Sequence, residues 1–454
     1  MRKSFMIVVG LLAVSLLQAQ DPDTQRLPAF LGAEGFGAYA RGGRGGDVYI
    51  VSNLKNAGKG SFRHGLNSAT GPRTIVFGVS GIIKLKSPLV ISKNYITVAG
   101  QTAPGDGICL RDAPLIVNAD HVIVRYMRSR LGDEAGVEAD AISIASGHHV
   151  MIDHCSASWS VDEVLSCSTG RKGEIDSITV QWCIISEALH NSVHQKGPHG
   201  YGALVRGCYG ACYTYHHNLF AHNYTRNPRP GNYDYNDHLK DPDGLRFDFR
   251  NNVVYNWDGR WPGYDADTNS VCHYNYAGNY VVPGSNSGLP GWAYHAGSKF
   301  FRAYYEDNYF NGQRPDDPWS LVHFDSTWTP GAIQTYKQDG PYPTGPITTH
   351  QANEAYNLVL SQAGASRSRD ATDTRIANDV RNGTGRIIDS QAQVGGWDDY
   401  RGGSVAKDTD RDGIPDQWEN AMGLDPEDPE DRNSDPDGNG YTYLEIYINS
   451  LIDK

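Results

Sequence analysis

An all-β fold, a right-handed parallel β-helix, is predicted by three features of this sequence. Short strand-like hexamers recur roughly every 22 to 35 residues. Their first and third residues are mostly apolar or aromatic, the alternation of a strand with one buried face. No long helical stretch separates most of them, which disfavours a sheet assembled from strand–helix–strand units.

The hexamers begin at Thr74, Ile96, Val122, Val150, Ile178, Tyr213, Phe247, Tyr274 and Ala303. One strand kept in phase through so many repeats predicts coils that stack, each burying its neighbour's open side. The sixth position reads Cys155, Cys183, Asn218, Asn252, Asn279 and Asn308. Stacked asparagines at a bend can bond coil to coil and satisfy polar groups that would otherwise be buried and unpaired. Cys155 and Cys183 would continue that ladder as thiols. Unequal spacing means that loops of unequal length leave the coils, and such loops are where a binding groove is built.

Around the repeat, the chain divides into four stretches. Residues 1–20 read as an export signal: Arg2 and Lys3 give a positive start, Phe5 through Leu17 are mostly apolar, and Ala19 offers a cleavage site. The apolar run is short for a bilayer. No later stretch is apolar enough to span one, so the expectation is an exported monomer, periplasmic or extracellular, without membrane insertion. Residues 21–345 carry the solenoid, although the repeat fades near residue 310. Residues 346–400 form a helical segment packing on it, with helices from Ala352 to Ala365 and from Thr372 to Val380, the second ending before Asn382-Gly383. Residues 401–454 are an acidic appendage.

Glycine (51) and tyrosine (27) are abundant, which suits turns, strands and a sugar-facing surface. The formal net charge is −12, with 40 Lys and Arg against 52 Asp and Glu. That balance argues against nucleic acid as a partner. An acidic polymer could bind only where local cations or a metal overcome the repulsion. The 7 cysteines are odd in number and match no zinc spacing, so packing is their expected role.

In the appendage, Asp408, Asp410, Asp412 and Gly413 are followed by Glu419, the pattern of a calcium loop. Asp435, Asp437, Asn439 and Gly440 make a second match, with Glu445 one position early. Two such loops in an exported chain point to structural calcium.

The candidate chemistry lies in the middle coils. Asp140 heads a strand, Asp162 and Glu163 lie near a strand end, and Asp153 lies inside a hexamer. Carboxylates from adjacent coils suit calcium, which takes several oxygen ligands in flexible geometry. For Asp153, ligation and simple hydrogen bonding within the strand are equally open. Arg226 and Arg229 flank Pro228, whose ring stiffens the turn. Each guanidinium can grip a carboxylate with two hydrogen bonds. His194 and Lys196 share a glycine-rich loop that ends at His199, and Lys196 is a candidate carboxylate partner. His216 and His217 should point to opposite faces of their strand. Trp159, Trp257 and Trp261 are candidates to stack on sugar rings, whereas Trp182 suits buried packing.

The chain resembles a known family through Gly35-Phe-Gly37, Gly42-Gly43-Arg44-Gly45-Gly46, Gly60-Ser-Phe-Arg63, Ile152-Asp153-His154 and Arg226-x-Pro228-Arg229. These motifs are similar to those of the pectate lyases of polysaccharide lyase family 1, over roughly residues 30–395. The resemblance implies a parallel β-helix that cleaves polygalacturonate by calcium-assisted β-elimination. It aligns Asp140 and Asp162 with calcium ligands, Arg226 with the Brønsted base, and Arg229 and Lys196 with contacts to substrate carboxylates. Two departures stand out. Ser166 occupies a position where the family often has a further aspartate, for which Glu163 would compensate. Pro230 and Gly231 stand where a further arginine is often found. An arginine base implies an alkaline activity optimum. Three alternatives stay open: a pectin lyase acting on methyl-esterified polymer without calcium, a hydrolase using two carboxylates and a water, and a non-catalytic β-helical glycan-binding or adhesin protein.

Overall fold

The computed structural model describes residues 27–168, 174–232, 239–258, 260–288 and 291–452. The export signal expected over residues 1–20 lies outside them. The chain winds as a right-handed parallel β-helix. Its central sheet has ten strands in chain order: Asp47–Val51, Arg73–Phe77, Ile96–Ala99, Val122–Arg125, Ile142–Asp153, Ile175–Gln181, Ala211–His216, Leu245–Arg250, Cys272–Ala277 and Arg302–Glu306. Ile96, Val122, Val150, Ile178, Tyr213, Phe247, Tyr274 and Ala303 pair rung to rung, so the hexamers stack in the predicted phase.

The first hexamer is the exception. Arg73, not Thr74, sits opposite Ile96. Arg73 takes an inward position at the strand's start, bonded to Asp47 at 2.5 Å and to the Gly65 carbonyl at 2.8 Å. A charged residue in an apolar slot masks the phase by one residue. The repeat also begins one coil earlier than predicted, with Asp47 opposite Arg73.

A second sheet runs from Gly81–Lys84 through Ser156–Ser158 to Tyr309–Phe310. A third face carries Leu115–Asn118, the start of Ile142–Asp153, Leu165–Ser168, Leu204–Arg206 and Arg229–Gly231. Between the first two sheets the chain turns on single left-handed residues. Tyr126, His154, Trp182, His217, Asn251 and Asp307 have φ between 49° and 56°. That region is costly for a residue with a Cβ, and the ladder beside it supplies compensation. Asn252 Oδ1 accepts the Asn218 N–H at 2.9 Å, and Asn252 Nδ2 donates to the Tyr215 carbonyl at 2.9 Å. Asn279 and Asn308 repeat the arrangement. Asn218 Oδ1 accepts from the Cys183 N–H at 2.9 Å, and Cys183 Sγ from the Cys155 N–H at 3.4 Å. Both cysteines are free thiols, as are the other five.

The left-handed turn also overturns the expectation for His216 and His217. The strand ends at His216, and the reversal at His217 brings both rings together, buried, with Nδ1 to Nδ1 at 2.8 Å. The interior grades from Val and Ile in the early coils to stacked rings in the late ones, with Phe249 and Tyr276 centroids 5.4 Å apart.

Helices Ala352–Gln362 and Ala371–Asn382 pack Val359, Leu360, Ile376 and Val380 against Ile184, Leu219 and Val253 of the second sheet. Asp370 caps the latter helix, and Gly383 ends it at φ 67°. No helix of the described residues is long and apolar enough to cross a membrane.

Candidate active site

The third face brings distant residues together because each coil contributes one strand end to it. Glu163 bridges to Tyr201, and Tyr201 to Thr225, so the segments ahead of three successive strands lie side by side. Asp140 enters from the coil before. Asp140, Asp162 and Glu163 each place a carboxylate oxygen within 4.8 Å of the others. Burial, then the charge of Asp162, pushes the Asp140 carboxyl up to about 8, against opposing hydrogen bonds from Ser166 and Ser143. Ser166 thus holds Asp140 in place and also accepts the Leu204 N–H at 3.1 Å.

Arg226 follows on the next coil with φ 60°. Its guanidinium lies 3.8 Å from the centre of the Tyr201 ring and pairs with Glu163. Its Nε is buried with no hydrogen-bond partner among the described residues. Burial holds Arg226 below the usual arginine value; Arg229 adds to that, while Tyr264 opposes it. Arg229 bonds the Ala266 carbonyl and Asp267, the latter at 3.3 Å, and lies 5.5 Å from the Tyr264 ring centre.

His194 lies beside the carboxylates, 4.0 Å from Asp162 and 3.7 Å from Glu138, and stacks on His199 at 3.5 Å. The backbone N–H of Lys196 donates to His194 Nδ1 at 3.1 Å, which sets the exposed Lys196 at the cluster's edge. Tyr201 and Glu138 were not anticipated. The single signal for Tyr201 is its place between Gly200 and Gly202, where glycines admit the neighbouring coil; Gly202 would clash with Asn227 if it carried a Cβ.

Two expected site residues prove to be structural. Asp153 is fully buried in the central sheet. Its oxygens accept from Arg125 Nε at 2.7 Å and Gln181 Nε2 at 2.7 Å, and meet His154 Nδ1 at 2.8 Å. Burial alone would raise its pKa; His154 and Arg125 overcome that and hold it well below the carboxylate range. It is therefore corrected from metal ligand to an anchor of the coil. Trp159 is likewise corrected from a sugar contact. It is fully buried and donates Nε1–H to Glu187 at 2.9 Å. Trp257 is buried as well, whereas Trp261 is partly exposed and stacks on His295 at 4.0 Å.

The C-terminal motifs part company. Asp408, Asp410 and Asp412 cluster, and Asp412 also meets Glu419 and Asp431. Asp435 closes a turn, accepting from the Asn439 N–H at 3.1 Å and the Gly440 N–H at 2.7 Å, as Asp408 does from the Asp412 N–H at 3.2 Å and the Gly413 N–H at 3.1 Å. Glu445, the carboxylate that would complete this second loop, is taken by the Thr442 helix cap and by Arg44 at 2.7 Å. Among the described residues Asp435 and Asp437 belong to no group of three close His, Cys, Asp or Glu ligands.

The chain matches no protein-family model. It is 38% identical over 432 residues to the "Probable pectate lyase C" of Aspergillus fumigatus, covering 94% of each chain. The protein of the same name in Aspergillus oryzae is 36% identical over 434 residues, covering 94% of this chain and 95% of that one. Among solved structures, an arginine-to-lysine variant of the Bacillus subtilis pectate lyase is similar in fold, with a TM-score of 0.50 at 15% identity, covering 77% of this chain and 100% of that one.

Proposed function

The chain belongs to the pectate lyase family, and on that premise we propose that it cleaves polygalacturonate by β-elimination, with Arg226 as the base and calcium held by Asp140, Asp162 and Glu163. One observation carries the reading: a three-carboxylate cluster and a guanidinium held below its usual pKa meet on successive coils of one face.

The residues fit calcium. All three are hard oxygen donors on neighbouring coils, and the mutual repulsion that raises Asp140 is what a dication relieves. Bound there, calcium would neutralise the uronate carboxylate next to the reacting carbon and so offset the charge that develops as the proton leaves.

The remaining work falls to the chain's own side chains. The proton on C5 is weakly acidic. Its removal forms the C4–C5 double bond as the bond from C4 to the glycosidic oxygen breaks, and the departing oxygen takes up a proton from water. Arg226 takes the proton once its guanidinium is neutral. Burial and the neighbouring Arg229 favour that form, while the face of the Tyr201 ring, 3.8 Å away, favours the cation. Glu163 also opposes the neutral form, because a carboxylate against the guanidinium favours the charged state. Arg226 is therefore competent when Glu163 turns toward Asp140 and Asp162. Arg229 and Lys196 provide the local positive charge that an acidic polymer needs on a chain of net charge −12. His194, against Asp162, steadies that carboxylate.

The proposal extends to an exported monomer whose solenoid, residues 21–345, carries the chemistry, with residues 346–400 packed on it and residues 401–454 serving another purpose. The test is polygalacturonate turnover followed by the near-ultraviolet absorbance of unsaturated product. Absorbance should appear, vanish with a chelator and return with calcium. Running Glu419→Gln alongside separates loss at the groove from loss at the C-terminal cluster. Cleavage without absorbance, or cleavage of methyl-esterified polymer that ignores the chelator, overturns the reading.

A further inference from the structure

We propose that Asp408, Asp410, Asp412, Glu419 and Asp431 form one closed cage for a calcium ion, and that this ion clasps the C-terminal segment onto the opening coils of the solenoid. The proposal stands apart from the lyase chemistry and rests on different residues.

Two overlapping groups define the cage. Asp408, Asp410 and Asp412 bring oxygens within 4.8 Å of one another, and so do Asp412, Glu419 and Asp431. Asp412 belongs to both, so it joins the loop carboxylates to Glu419 of the following helix and to Asp431. A cluster of acids alone would carry little weight. Here Glu419 is 0% exposed and Asp412 1% exposed. Both Glu419 oxygens, Asp412 Oδ2, Asp410 Oδ2 and Asp431 Oδ1 are buried without a hydrogen-bond partner among the described residues. Buried carboxylates with nothing to bond are costly in a folded protein, and a dication is what such a set accepts.

The loop is shaped to aim them. Asp410 Oδ1 accepts the Asp412 N–H at 3.2 Å, and Asp412 Oδ1 accepts the Ile414 N–H at 2.8 Å. Asp410 and Asp412 thus each fix the backbone with one oxygen and leave the other unpartnered among the described residues, whereas Asp408 accepts the Asp412 N–H at 3.2 Å and the Gly413 N–H at 3.1 Å with its two oxygens. Of the nearby basic groups, Lys407 pairs with Asp416 at 2.7 Å, and Arg432, 3.7 Å from Glu430, partly offsets the charge at Asp412. The donors are all oxygen and there are five of them, which suits calcium; magnesium keeps more of its water and demands stricter geometry.

The clasp follows from what the loop touches. Gly413 sits at φ 94°, and a Cβ there would come within 3.0 Å of Val48 on the first strand of the solenoid. The next residue, Ile414, is buried with Leu444 and Ile448 against Val76 and Ala99 of the following coils. Asn449 Oδ1 accepts from Arg125 at 2.8 Å. An ion that holds residues 408–431 in one shape therefore holds the apolar cover over the first coils.

The experiment uses the full-length protein, with calcium and then terbium as probes. Saturating calcium should raise the unfolding midpoint of the wild type by on the order of 5 °C. Asp162→Asn, in the groove, should keep that rise. Glu419→Gln should lose it, and without calcium should be at least as stable as the calcium-free wild type, since one buried like charge is gone. Should Glu419→Gln fail to fold, terbium bound to the wild type should luminesce on excitation of the adjacent Trp418 and fade as calcium displaces it. A calcium-indifferent wild-type midpoint, a full rise retained in Glu419→Gln, or no Trp-sensitised terbium signal overturns the proposal.

Discussion

Two carboxylate clusters in this molecule have opposite surroundings. The groove cluster has three acids, Asp140 and Asp162 partly exposed, with Arg226, Arg229 and His194 around it. The C-terminal cluster has five, with Glu419 and Asp412 buried and several oxygens lacking partners among the described residues. Calcium affinity rises with the number of charged ligands and the rigidity of the site. On that principle the proposed C-terminal cage would hold an ion more tightly than the groove, where Ser166, a hydroxyl bonded to Asp140, stands in place of a fourth acid and a substrate carboxylate would complete the proposed site.

The largest effect that sharpens this contrast is at Arg226. Arg226→Ala should lower kcat by about a thousandfold, within the range for loss of a proton-transfer group, while the calcium-induced rise in unfolding midpoint persists. If both fall together, the clusters are not separate. Asp162→Asn should raise the calcium concentration needed for activity by about 10- to 100-fold, read from activity against free calcium. Lys196→Ala should raise KM by about 10-fold with kcat nearly unchanged, the signature of lost ground-state binding. Asn252→Ala belongs to neither cluster. It should cost about 1–3 kcal/mol by leaving the Asn218 N–H and the Tyr215 carbonyl unpaired, equally with and without calcium. Smallest at the groove is Trp159→Phe: denaturant unfolding should show lost stability, because Glu187 loses a donor, while KM stays put.

The solenoid was legible because its inward positions admit little but apolar side chains, so the phase survives from Ile96 to Ala303. It failed at Arg73, where an ion pair with Asp47 replaces packing. The asparagine ladder was legible because its hydrogen bonds require the same residue on each rung. In the groove, Asp140, Asp162, Glu163 and Arg226 could be picked out from motif and spacing. Asp153 and Trp159 could not be sorted, because sequence shows the residue type but not which wall of the coil it faces. Tyr201, Glu138 and Asp431 went unseen for a related reason. They reach their clusters through loop geometry, which follows no period. The pairing of Arg226 with Glu163 is the same kind of fact: two residues read as base and ligand turn out to touch.

The most direct test is the pH–rate profile of unsaturated-product formation on polygalacturonate, for the wild type and Arg226→Lys at saturating calcium. Since burial holds Arg226 below its ordinary value, activity should climb as pH rises and the guanidinium gives up its proton. In Arg226→Lys the rate should be much lower and its rising limb should move to lower pH, because lysine releases its proton more readily than arginine. A flat or acid-peaked wild-type profile, or a profile that Arg226→Lys leaves unchanged, would contradict the account.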